Sequence, residues 1–120
     1  MDVLYIEDNA ANGRLLSKYF ALRGSWQLTL AASAEEGIAQ AVREPPALIL
    51  MDLNLPGKSG DEALRELRAD PATAGIPVVA ISADARPEHV AAMLAAGFEA
   101  YVTKPVDFDE LERLLVRYAP

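Results

Sequence analysis

Residues 47–52 read ALILMD: five apolar side chains run without alternation into a carboxylate. A strand with one face in water alternates polar and apolar residues, whereas a strand covered on both faces is apolar throughout, as the centre of a parallel sheet requires. Ala47–Met51 therefore predicts a buried parallel strand ending at Asp52. Parallel neighbours need crossover connections, usually helical. Outward from this stretch, Val3–Ile6 and Pro77–Ile81 are similar apolar runs, Ala100–Thr103 is a shorter one, and Trp26–Leu30 alternates as a weaker strand.

The segments between these runs carry helical periodicity. Leu15, Leu16, Tyr19 and Phe20 fall on one helix face before Gly24. Ser33 with Glu36 forms a capping box that opens a helix through Ile38, Ala39 and Val42 to Pro45. A loop with Pro56, Gly57 and Gly60 leads to a helix carrying Ala63, Leu64 and Leu67. Pro87 starts a fourth helix, with Val90, Met93 and Leu94, closed by Gly97. Asp107 and Glu110 form a second capping pair before Leu111, Leu114, Leu115 and Tyr118. Strand and helix thus alternate five times. The expected fold is α/β: a doubly wound, three-layer (βα)5 sandwich around a five-stranded parallel sheet of order 2-1-3-4-5 with right-handed crossovers.

The 120 residues suit one domain, read as residues 1–120, with no linker, repeat or output domain within them. A net charge of −7 leaves no clustered cations for a nucleic acid backbone. The absence of Cys excludes a disulfide framework, Cys-ligated metal and thiol catalysis, and fits a reducing cytoplasm. The opening MDVLYIEDN has an acid at position 2 and only four consecutive apolar residues, so neither a signal peptide nor a membrane span is expected.

In such sheets chemistry lies beyond the carboxyl ends of the strands. There the sequence places Glu7 and Asp8, Asp52, Ser82 and Lys104, whereas the second strand ends in Ala31 and Ala32. In the order 2-1-3-4-5 the strands bearing these polar groups are neighbours. Close carboxylates resist ionising together unless a positive charge lies between them. A hard divalent cation such as Mg²⁺ takes one or two carboxylates, keeps several waters and accepts a phosphate oxygen. A lysine beside it is a point charge suited to carboxylate or phosphate. Neither G-x-x-x-x-G-K-[ST] nor G-x-G-x-x-G occurs, so no nucleotide cradle is expected. Phosphoryl chemistry without one points to a carboxylate as phosphate acceptor.

LYIEDN (residues 4–9), MDLNLPGKSG (51–60), AISA (80–83) and YVTKP (101–105) occur in this order across nearly the whole chain. Together they resemble the receiver domain of two-component response regulators, which has a flavodoxin-like fold. The resemblance implies that Asp52 is the phosphoacceptor and that Asp8, Asp52 and the backbone carbonyl of Asn54 ligate Mg²⁺, with Glu7 acting through water. Mn²⁺ would be able to substitute. Ser82 would bond the bound phosphoryl oxygen, Lys104 would hold the carboxylate and then the phosphoryl group, and Tyr101 would be the switch aromatic. The Lys104–Pro105 bond is often cis in this family. The implied donor is a phosphohistidine on a histidine kinase or a histidine phosphotransfer protein. The output is a changed surface of the fourth helix, fifth strand and fifth helix, read by a downstream protein. Glu110, Glu112, Arg113 and Arg117 on the fifth helix form either a homodimer face or a solvated one. The domain would stand alone or belong to a hybrid sensor kinase, and would act only on its own phosphorylation and dephosphorylation.

Position 7 is Glu where many receivers have Asp, and Ser82 stands where Thr is common. Asn54 and Asp84 occupy the positions that tune dephosphorylation in the family. Asn9, Asn12, Lys58 and Asp61 read as turn or surface residues, His89 as a surface helix residue away from the strand ends, and Trp26 as packing. Three alternatives remain: a haloacid-dehalogenase-like phosphohydrolase, whose second Asp would fall where Asn54 stands; a flavodoxin-like flavin binder, which needs a phosphate loop where Glu7 and Asp8 stand; and a degenerate receiver acting as a constitutive binding module.

Overall fold

The computed structural model describes residues 2–24 and 26–118. Among them are strands β1 (Asp2–Ile6), β2 (Gln27–Ala31), β3 (Leu48–Asp52), β4 (Val78–Ser82) and β5 (Ala100–Thr103). They alternate with helices α1 (Ala10–Arg23), α2 (Ala34–Arg43), α3 (Gly60–Ala69), α4 (Pro87–Ala96) and α5 (Phe108–Tyr118). All pairings are parallel and the order is β2-β1-β3-β4-β5, the doubly wound sheet the sequence predicts.

Alternate residues of each central strand enter opposite cores, as the two-residue period of a strand dictates. Leu4 and Ile6 of β1, Ile49 and Met51 of β3, and Val78 and Ala80 of β4 pack with Ala41 of α2 and Leu64 and Leu67 of α3. Val3, Tyr5, Leu48, Leu50, Val79 and Ile81 face the other way, onto Leu16 and Phe20 of α1 and Leu111, Leu114 and Leu115 of α5. Burying each large apolar side chain contributes about 1.5–3 kcal/mol, so the two layers hold the sheet between both helix sets and leave its carboxyl edge free for polar groups. Trp26 is buried in the second core, as expected of a packing residue.

Local chemistry sets the ends of the elements. Ser33 caps α2 by accepting the Glu36 N–H at 3.1 Å, while Glu36 Oε2 reaches back to the Ala32 N–H at 3.3 Å. Asp107 Oδ1 accepts the N–H groups of Asp109 and Glu110 ahead of α5. Gly24 ends α1 in the left-handed region, φ 83°, where a side chain would be strained. A Cβ on Gly37 would lie 2.5 Å from Ile6 Cδ1, so only glycine lets α2 approach β1 this closely. Helix α4 is different: none of its residues is buried.

The second strand runs one residue later than the expected Trp26–Leu30. The parallel register pairs Asp2 with Gln27 and Ile6 with Ala31, which leaves Trp26 outside the ladder to fill the core beneath it. The Lys104–Pro105 peptide bond is cis.

Candidate functional site

β1 and β3 are neighbours whose last register pair is Ile6 with Met51, so Glu7 and Asp52 emerge side by side at the carboxyl edge. β4 lies next and delivers Ser82; β5 follows and delivers Lys104 immediately beyond its last residue. The backbone closes this edge: Glu7 N–H donates to Ala31 O at 2.9 Å, Leu53 N–H to Ile81 O at 3.0 Å, and Lys104 N–H to Ser82 O at 2.8 Å. The second strand thus adds a carbonyl to the edge but no side-chain chemistry.

The carboxylates of Glu7, Asp8 and Asp52 each offer an oxygen within 4.8 Å of the others. Glu7 and Asp52 are buried, Asp52 with 3% of its surface exposed, and Asp8 is exposed. Lys104 Nζ stands between the buried pair, 2.9 Å from Glu7 Oε1 and 3.1 Å from Asp52 Oδ2. The sequence implied that Lys104 holds the Asp52 carboxylate; here the ammonium is shared with Glu7, whose longer arm reaches it. Asp52 Oδ1 accepts the Asn54 backbone N–H at 2.9 Å, while the Asn54 residue itself is exposed.

Burial and the proximity of Glu7 push the Asp52 carboxyl up to about 6, against the pull of the Asn54 N–H and the Lys104 ammonium. Burial acts on Glu7 in the same sense but is outweighed by the neighbouring Asp52 carboxyl, which holds its proton more tightly, and by hydrogen bonds from Lys104 and Asn12, so Glu7 falls below the usual carboxylate range. One carboxyl of the pair therefore keeps a proton more readily than the other. Burial alone would lower Lys104, yet its two acidic partners hold it above the usual lysine value. An all-oxygen cluster of three carboxylates, two of them in conflict over ionisation, fits a hard cation such as Mg²⁺.

Ser82 is 1% exposed, and its hydroxyl accepts the Asp84 N–H at 3.1 Å rather than bonding to Glu7, Asp52 or Lys104. Tyr101 is half-buried, and its hydroxyl donates to Asp84 O at 2.6 Å. Ser82 and Tyr101 therefore meet through one short segment after β4. His89 is closer to this region than the sequence reading had it: half-buried, it stands edge-on to the Tyr101 ring with centroids 6.0 Å apart.

Asn12 and Tyr5 are site residues that sequence reasoning missed. Tyr5 reads as an apolar strand residue, and Asn12, read as a turn or surface residue, donates from Nδ2 to Glu7 Oε1 at 2.7 Å. The Tyr5 hydroxyl donates to the same oxygen at 3.2 Å. Asn12 lies five positions after Glu7, and Asn9 caps α1 by accepting the Asn12 N–H at 3.1 Å, which turns the first helical turn back over the strand end. Lys58 and Asp61 are peripheral as expected: they pair with Glu66 and Arg65. Glu112 of α5 binds Arg23 and the Tyr19 hydroxyl of α1, each at 2.6 Å, so this acid of the mixed-charge face is engaged within the chain.

A family model for the response regulator receiver domain matches residues 3–116. The signal transduction histidine-protein kinase BarA of Escherichia coli K12 is 32% identical over 121 residues, covering 100% of this chain and 13% of the kinase. The chain spans between 4% and 45% of the longer curated relatives it matches. A crystal structure of the receiver domain of sensor histidine kinase PA1611 from Pseudomonas aeruginosa PAO1, with a magnesium ion coordinated in the active site cleft, is 32% identical. It superposes with a TM-score of 0.87 over 98% of this chain and 95% of that one. A Saccharomyces cerevisiae co-crystal structure contains the histidine phosphotransfer signalling protein Ypd1 and the receiver domain of its downstream response regulator Ssk1. That match is 26% identical, with a TM-score of 0.86 and coverage of 98% and 88%.

Proposed function

Because the chain belongs to the response regulator receiver domain family of two-component systems, we propose that residues 1–120 act as one phosphorylation-dependent switch whose phosphoacceptor is Asp52. The observation that carries the reading is the Lys104 ammonium bridging a buried aspartate and a second acid at adjoining strand ends, with Asp8 beside them. With the family shown, the phosphohydrolase and flavin readings fall away. The complete acidic cluster favours a working switch over a degenerate binding module.

Asp8, Asp52 and the Asn54 carbonyl would hold Mg²⁺, with Glu7 acting through water; the magnesium ion in the Pseudomonas receiver domain supports this choice, and Mn²⁺ suits the same oxygen donors. Bound there, the cation neutralises charge on the transferring phosphoryl oxygens. Asp52, ionised near neutral pH, supplies the electron pair that forms the new oxygen–phosphorus bond. The phosphorus–nitrogen bond of a donor phosphohistidine breaks, and its electron pair returns to the imidazole. Such transfer depends on positioning and charge compensation. Lys104 supplies the compensation by moving from the carboxylates to the phosphoryl oxygens, and the Ser82 hydroxyl, released from the Asp84 N–H, donates a hydrogen bond.

That rearrangement links to Tyr101, because Asp84 holds the Ser82 hydroxyl through its N–H and the Tyr101 hydroxyl through its carbonyl. Pulling Ser82 inward weakens the Asp84 contact and frees the Tyr101 ring. The populations of the α4–β5–α5 surface then shift for a downstream protein. The yeast co-crystal structure supports a histidine phosphotransfer protein as donor, with a histidine kinase as the other class. We read the setting as cytoplasmic, either as a stand-alone regulator or as the receiver of a hybrid kinase, with no direct role for nucleic acid or membrane. In this reading the chain is not an enzyme acting on other molecules, and the mixed-charge face of α5, with Glu110, Glu112, Arg113 and Arg117, is either a homodimer face or a solvated one.

The test is intact mass spectrometry after treatment with acetyl phosphate and Mg²⁺. Wild type should gain one phosphoryl group, and Asp52→Asn none. A wild type that gains no adduct and shows no response to fluoroberyllate would sink the proposal.

A further inference from the structure

Glu7 Oε1 accepts three donors: Asn12 Nδ2 at 2.7 Å, Lys104 Nζ at 2.9 Å and the Tyr5 hydroxyl at 3.2 Å. Among the described residues its other oxygen, Oε2, accepts only the Asn9 backbone N–H, at 3.5 Å. The three donors have different freedom. Lys104 is shared with Asp52, and in the proposed reaction it leaves for the phosphoryl group. Tyr5 cannot follow: it is 1% exposed, with its ring packed between the sheet and α1 and α5. Asn12 is fixed in the first turn of α1, where the Asn9 side chain holds its N–H.

Packing does not explain the Tyr5 hydroxyl. A phenylalanine would fill the same core position, and a buried hydroxyl is costly unless it is hydrogen-bonded. Both donors are also neutral, so they hold the carboxylate without cancelling the charge that a cation's water would meet. We propose that Tyr5 and Asn12 are positioning residues for the cation site. They grip Glu7 by Oε1, leave Oε2 open, and keep the carboxylate in place when Lys104 departs. Groups that orient the shell around a metal raise affinity by restricting it to the productive geometry. This inference rests on the reading of Glu7 as a ligand acting through water.

Calorimetric titration with Mg²⁺ tests it on wild type, Tyr5→Phe and Asn12→Ala, each also made on a Glu7→Gln background. Thermal unfolding in EDTA is recorded for every variant. Each single substitution should raise the Mg²⁺ Kd about fivefold, the worth of one neutral hydrogen bond. On the Glu7→Gln background the same substitution should add little, because the effect passes through the Glu7 carboxylate. Tyr5→Phe keeps the ring, and Asn12→Ala lies outside the core, so at least one variant reports on a folded protein. An unchanged Kd in both singles overturns the inference, as does an equal loss on the Glu7→Gln background, which would assign Tyr5 and Asn12 to packing. A wild type that takes up no Mg²⁺ overturns the parent reading as well.

Discussion

Glu7 and Asp52 lie at the ends of neighbouring strands, contact the same lysine ammonium, and are driven in opposite directions on the pH scale. Burial works against ionisation at both positions, yet Glu7 has more donors on it and takes the negative charge first.

This asymmetry makes the metal-free fold pH-dependent in a definite sense. Folded Asp52 keeps its proton until about 6, against 3.8 for an ordinary aspartate. Its contribution to stability is therefore complete below about pH 4 and is lost as pH rises through 6. Glu7 is shifted the other way, so its contribution is present above about pH 4.5 and is lost only in stronger acid. Asp52→Asn removes the cost of ionising the buried acid. Urea unfolding in EDTA should find that variant more stable than wild type at pH 7.5 by about 1–2 kcal/mol, after solvent screening is allowed for. The gap should close below pH 4, and a gap independent of pH would rule out this account.

Asp8 is the exposed member of the cluster and should matter for the cation rather than for the fold. Asp8→Asn is expected to weaken Mg²⁺ binding by about tenfold or more and to slow phosphorylation by acetyl phosphate, with the urea midpoint in EDTA nearly unchanged. Unaltered Mg²⁺ affinity would show that the ion sits elsewhere.

Lys104→Ala leaves two adjacent buried acids without their cation. Removing one partner of such a group is more harmful than the net worth of the pair, because the remaining charges stay desolvated. We expect a loss of about 1–3 kcal/mol in EDTA at pH 7.5, moderated because the lysine is itself partly solvated, and partial recovery on adding Mg²⁺. Phosphorylation should also become poorly coupled to partner binding; normal coupling in a partner-binding assay would remove the role given to Lys104.

Gly37 tests the fold rather than the site. In an exposed helix interior, alanine would be favoured over glycine by about 1 kcal/mol. Here the new Cβ would lie 2.5 Å from Cδ1 and 2.6 Å from Cγ1 of Ile6, which is fully buried and would have to shift within the core. Gly37→Ala should therefore destabilise the chain by about 1–3 kcal/mol, measured by thermal or urea unfolding. A stabilised variant would mean that α2 can lift from β1 at little cost.

The parts legible in the sequence are those with a strong local signature. The unbroken apolar runs around Leu50 and Val79 can lie only between two helix layers, and once the order of the sheet follows, Glu7, Asp52, Ser82 and Lys104 must share an edge. The first and second capping pairs, at Ser33 and Asp107, likewise act where their spacing placed them. What was not legible depends on direction rather than position. Tyr5 reads as one more apolar strand residue because its ring is in the core; only its hydroxyl reaches Glu7. Asn12 reads as surface because nothing local shows that α1 folds back over the end of β1. His89 meets Tyr101 where α4 packs on β5, a tertiary contact without a sequence code.

Helix α4 keeps no side chain fully out of water, whereas β4 is sealed along its whole length. Its amide hydrogens should accordingly exchange with solvent through local opening, at a free energy far below that of global unfolding, while those of β3 and β4 wait for the whole domain. A small push at Asp84 therefore need not strain the sheet at all: the element next to Tyr101 is the one the molecule can rearrange most cheaply.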